Sequence, residues 1–116
     1  MRHKKKTPKL SLKSGPRKAL LRSLATNLVM HGKIKTTLAK AKALRPVIEK
    51  HVTASKLDTL AVRRRLIAYL YKENAVKKMI KEIGPKYKDR KGGYTRIIKL
   101  ANRKGDDASM AIIEFV

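Results

Sequence analysis

Gly84-Pro85-Lys86-Tyr87-Lys88-Asp89-Arg90-Lys91-Gly92-Gly93-Tyr94-Thr95-Arg96-Ile97 divides the chain into two kinds of sequence. Before it, apolar residues recur every three or four positions, the period of helices. After it come two short runs with the alternation of strands. The stretch itself reads as a basic loop, with Lys86, Lys88, Arg90, Lys91 and Arg96 set against Asp89 alone. Gly92 and Gly93 suit a sharp turn, because a residue without Cβ takes positive φ at no steric cost. Tyr87 and Tyr94 supply two aromatic rings. Such rings either stack on unpaired bases or pack inside the domain, and the sequence leaves both open.

Towards the N-terminus, Gly84-Pro85 is expected to stop a helix running from Asn74 to Ile83, with Val76, Ile80 and Ile83 inward. A shorter helix precedes it, capped by Asp58 and burying Val62, Leu66, Ile67 and Leu70. Arg63, Arg64 and Arg65 fan around it, one of them to meet an acid. Thr37 caps a longer helix whose stripe is Leu38, Ala41, Leu44, Ile48, Val52 and Ser55. Pro46 inside that helix predicts a kink or a late start. Lys33 to Thr37 alternates and reads as a strand. The first helix starts at Ser14-Gly15-Pro16, with Ser14 as cap, and ends at His31-Gly32 with a left-handed glycine. Residues 1–13 show no lasting periodicity and read as an extended basic arm. Beyond the loop, Tyr94 to Leu100 and Met110 to Val116 are strands joined by a polar connection. The expected fold is α+β: about four helices on a three-stranded mixed sheet, one domain over residues 14–116.

Charge decides the class of partner. The 116 residues carry 31 Lys or Arg and 8 Asp or Glu, a net +23. Counted from Met1, the first acidic residue is Glu49, after 14 cations. Such self-repulsion opposes a compact state until a polyanion offsets it, and nucleic acid is the dense polyanion. There is no cysteine, so disulfides and thiolate metal sites are excluded. His3, His31 and His51 lack ligand spacing, and Asp106-Asp107 after Gly105 reads as turn chemistry, so neither metal nor cofactor is expected. No nucleophile elbow, phosphate-cradling loop or dinucleotide pattern appears, so no catalytic residue and no small-molecule substrate is expected. Residues 1–9 are basic with no apolar segment behind them, unlike a secretory signal. No apolar run is long enough to span a membrane, and the helical stripes are needed for the core rather than for a membrane surface.

The candidate contacts for phosphate form four groups. The arm offers Arg2, His3, Lys4, Lys5, Lys6, Lys9 and Lys13. The first helix offers Arg17, Lys18 and Arg22, at the positive end of its dipole, where an anion is favoured. The loop offers Arg90, Lys91, Gly92, Gly93, Tyr94 and Arg96, and the last turn Arg103 and Lys104. Lys35 on the short strand completes the set. Cations bind phosphate without reading sequence. A long arm with scattered charge favours an irregular folded RNA over a duplex groove. A DNA-binding module would need a recognition helix, and none is evident.

Specific strings narrow this further. Met1-Arg2-His3, Ile34-Lys35-Thr36-Thr37-Leu38 with Lys40-Ala41-Lys42, Glu82-Ile83-Gly84-Pro85, Gly92-Gly93-Tyr94-Thr95-Arg96-Ile97, Gly105-Asp106, Met110-Ala111 and Ile113-Glu114 occur in that order. Together they resemble the bacterial large-subunit ribosomal protein conventionally numbered seventeen. The resemblance implies a non-enzymatic, cytoplasmic constituent of the ribosome that binds large-subunit rRNA near the exit of the peptide tunnel. It implies neighbouring large-subunit proteins as further partners, with the arm, the first helix start and the Arg90–Arg96 turn as RNA contacts.

Overall fold

The computed structural model of the chain describes residues 9–116. Four helical stretches and one three-stranded sheet make up the fold, the first two helices against the sheet and the other two stretches against those helices. Helix α1 (Ser14–His31) is capped one residue earlier than expected: Lys13, not Ser14, holds the N-cap position, without a side-chain hydrogen bond. Gly32 ends it at φ 79°, its N–H reaching Leu28 O. Strand β1 (Lys33–Thr37) follows, then α2 (Leu38–Ser55). Thr37 Oγ1 accepts from Lys40 N at 3.4 Å, the cap that sets where α2 begins. The late start allowed for by Pro46 therefore does not occur; Pro46 lies on the exposed side, inside a helix that continues past it.

Helix α3 (Leu60–Tyr69) corrects two expectations. Its cap is Thr59, whose hydroxyl accepts from Val62 N at 3.2 Å. Asp58 is instead taken by Arg63, Nε to Oδ1 at 2.7 Å and Nη2 to Oδ2 at 3.1 Å. Only Leu66 of this helix is fully buried, and Ile67 faces out at 61% exposure. The fourth stretch also differs. Helix α4 (Glu73–Lys78) widens into a π-helical turn (Met79–Ile83) and continues through a last helical turn (Gly84–Lys86). Gly84-Pro85 therefore does not stop it. Proline is tolerated at the start of a new turn, where its missing N–H costs little, and Gly84 keeps helical φ and ψ of −54° and −55°.

Strands β2 (Thr95–Lys99) and β3 (Met110–Phe115) form a hairpin, and the sheet order is β1-β3-β2. Both pairings are antiparallel, so the sheet is not mixed. The reason is topological: β1 and β2 run the same way, but β3 lies between them. The register places Ile34, Ile113 and Ile97 in one cross-strand row, and Thr36 and Ala111 in the next row on that face. Ile113 and Ala111 are fully buried there against Leu28, Val29, Leu44, Ile48 and Val52 of α1 and α2. The opposite face carries Lys33, Glu114 and Arg96, then Lys35, Ile112 and Ile98.

Candidate nucleic-acid interface

The Gly-Gly turn is held in place by α2. Glu49, Thr53 and Lys56 recur at i, i+4 and i+7, which sets them on one side of a helix. Glu49 Oε1 accepts from Tyr94 N at 3.1 Å and from Thr95 Oγ1 at 3.5 Å. Arg45 Nε lies 3.9 Å from the same oxygen. The Thr53 and Tyr94 hydroxyls are 3.1 Å apart. Lys56 Nζ donates to Arg90 O and lies 4.9 Å from the Tyr94 ring centroid. Lys56, with Thr53 second, draws the Tyr94 phenol below the usual tyrosine range. The turn is thus fastened on both sides of Gly92 and Gly93, which take φ of 87° and 63°.

Both loop tyrosines pack internally. Tyr94 is 1% exposed and Tyr87 3%. Their rings lie 5.3 Å apart, and Tyr87 is 6.3 Å from Phe115. Tyr87 Oη donates to Val116 O at 2.5 Å, and Val116 N to Tyr94 O at 2.9 Å. No ring is left at the loop for a base to stack on, and what the loop offers outward is charge: Arg90 and Lys91 are exposed.

The other candidate residues are differently placed. At the start of α1, Lys13 and Lys18 are exposed, Arg17 is half-buried, and the first turn holds no acid. Arg22, one turn on, is engaged by the protein. Its Nε donates to Tyr69 O and its Nη2 to Ala68 O, each at 2.8 Å, at the C-terminal end of α3. Its guanidinium also lies 4.6 Å from the Tyr71 ring centroid. Lys35 projects from the outer sheet face beside Ile112. Arg96 pairs with Glu114 at 2.7 Å across the same face. Arg103 pairs with Asp106 through two contacts, holding that carboxyl down at about 2 and shaping the turn that exposes Lys104. Lys9 is exposed beside a tight turn in which Leu12 N meets Lys9 O at 2.9 Å, with Leu10 and Ser11 at positive φ. The chain is therefore not extended there. Arg2, His3, Lys4, Lys5 and Lys6 lie outside the described residues. Lys9, Lys13, Arg17, Lys18, Lys35, Arg90, Lys91 and Lys104 have no carboxylate partner among the described residues.

Sequence reasoning missed the fastening role of Glu49, Thr53 and Lys56. Its signal was present: Glu49 is the first acid in a long cationic run. An isolated carboxylate there meets backbone N–H groups and cations and nothing that repels it. Among the described residues no cluster of His, Cys, Asp or Glu could hold a metal ion, and no helix is long and apolar enough to cross a membrane.

Residues 20–116 match the family model described as ribosomal protein L17. The chain is similar to the large ribosomal subunit protein bL17 of Carboxydothermus hydrogenoformans, 52% identical over 108 residues, 93% of this chain and 96% of that one. It is equally similar to the proteins of that name from two strains of Rickettsia bellii. Each is 52% identical over 116 residues, which is all of this chain and 82% of theirs.

Proposed function

The chain belongs to the ribosomal protein L17 family, and we propose that it works within the large ribosomal subunit by binding and stabilising large-subunit rRNA. Proteins of this family are structural components of that subunit, not enzymes. The observation that carries the RNA-binding reading is the fastened turn. Arg90 and Lys91 project from a backbone held by Glu49, Thr53 and Lys56, so presenting them to phosphate costs little further ordering. The acid-free start of α1 with Lys13, Arg17 and Lys18 supplies a second cationic surface, and Lys35 on the outer sheet face and Lys104 in the last turn add two more exposed cations. Residues 1–13 add Arg2, His3, Lys4, Lys5 and Lys6 as an RNA-contacting arm beside the single folded domain. The mechanism is neutralisation: cations on a fixed frame let RNA segments approach one another.

The position near the peptide exit tunnel, the neighbouring large-subunit proteins and the cytoplasmic location belong to the same proposal and rest on the family resemblance. Sedimentation of a native lysate through a sucrose gradient, before and after a high-salt wash, tests it. Retention in the large-subunit peak after the wash is expected. Release into the soluble fraction would overturn it.

A further inference from the structure

An open groove of about 520 Å³ runs between α1, α2 and α3. Its apolar lining comes from Leu21, Val47, His51 and Tyr69, and its charged lining from Lys18, Arg22 and Arg65, with no carboxylate among the lining residues. The His51 and Tyr69 rings lie 4.3 Å apart, centroid to centroid, tilted by 35°. The volume is that of a small-ligand site. We propose that this groove holds one unpaired nucleotide of the bound RNA, its base against the His51–Tyr69 wall and its phosphate on Lys18 and Arg65. The inference rests on the RNA-binding reading above and names a base-contacting site within it.

Three observations favour a nucleotide over a protein segment. The lining joins an aromatic wall to a carboxylate-free set of cations, and a nucleotide joins a flat ring to an anion one sugar away. A peptide laid in the groove would bury main-chain amides that need partners. The groove has few to offer, since Arg22 Nε and Nη2 are already bonded to Tyr69 O and Ala68 O. A base lying flat keeps its polar edges in water. Burial, with Arg65 second, also lowers the His51 pKa, so the wall is neutral imidazole rather than another cation competing for the phosphate. This places in the groove the ring stacking that buried Tyr87 and Tyr94 do not offer at the loop.

The test places a photoreactive benzoyl-phenylalanine at Ala68, an exposed groove position, and separately at Val47, in chains assembled into large subunits and then irradiated. An adduct to rRNA from either position, mapped to one nucleotide, is expected. An adduct to another protein, an adduct to the chain's own N-terminal residues, or no adduct from either position would overturn the inference. Subunits that contain the chain but give no RNA adduct overturn only the groove. A wild-type chain absent from the subunit peak overturns the RNA-binding reading and the groove with it. In rRNA binding, Ala68→Leu should fill the groove and weaken affinity by about tenfold without changing the salt slope, whereas Arg65→Gln should reduce the slope by roughly 0.7 to 0.9.

Discussion

Gly84→Ala sets two physical effects against each other. At φ −54° and ψ −55° the residue is helical, so alanine should stabilise the backbone by about 1 kcal/mol. A Cβ built there, however, lies 2.4 Å from Ser55 O, 2.9 Å from Ser55 C and 3.2 Å from Ser55 Oγ. Cβ atoms do not approach within 3.0 Å, so the Ser55 carbonyl must retreat by more than half an ångström. Ser55 is the last residue of α2, is 2% exposed, and bonds Val52 O through its hydroxyl at 2.7 Å. The obstacle is therefore buried backbone, not the end of a flexible side chain. Overpacking costs about 1–3 kcal/mol and occasionally more, and backbone against backbone belongs at the upper end. The steric effect wins, and the expected net loss is about 2 kcal/mol, a fall in Tm of roughly 5–12 °C. Urea denaturation at fixed salt measures it. Gly15→Ala in the first turn of α1 is the control, because nothing lies within 4 Å of its Cβ; it should be neutral or slightly stabilising. A Gly84→Ala chain as stable as wild type would refute the claim that glycine is needed where the π-helical turn meets the end of α2.

Three further outcomes follow from the same contacts. Glu49→Ala removes the acceptor for Tyr94 N–H and should cost about 1–3 kcal/mol, the penalty for an unpaired part-buried donor; amide hydrogen exchange at Tyr94 and Thr95 should speed up, and unchanged protection would refute the fastening. His51 lies among Lys18, Arg22, Arg65 and Tyr69, and its folded pKa is below the ordinary value of 6.5. Its contribution to stability is therefore full above about pH 6.5 and is lost as pH falls below that. The drop in Tm between pH 7.5 and 5.5 should be smaller in His51→Phe than in wild type. Removing residues 1–13 should leave the helical circular-dichroism signal intact while weakening RNA binding; global unfolding would contradict the arm assignment.

Much of the fold was legible where a local signal had no competitor. Gly32 and Thr37 bracket β1 because each has one cheap conformation to adopt there. The last strand was legible from its period of two, and in the sheet Ala111, Ile113 and Phe115 share one face. Reading failed where tertiary contact decided. Asp58 and Thr59 are both good caps, and only the position of Arg63 shows which is free. Gly84-Pro85 looks like a stop until Ser55 is known to press against it. Strand polarity depends on β3 entering between β1 and β2, which no local pattern encodes. At the site, the cations were legible as a charge excess. Which of them are committed was not: Arg22 to the end of α3, Arg96 to Glu114 and Arg103 to Asp106 are long-range or turn-specific pairings.

The central claim is that exposed cations on a fixed frame neutralise rRNA phosphates. Binding of the full chain to large-subunit rRNA, measured across salt concentrations, tests it most directly. Eight described candidate cations lack a carboxylate partner, and the proposed arm adds Arg2, Lys4, Lys5 and Lys6, so a plot of log K against log salt should fall with a slope of about −8 to −11 if all twelve engage phosphate. Arg90→Gln with Lys91→Gln should flatten it by roughly 1.5. A slope near zero, or one unmoved by the double substitution, would contradict the account.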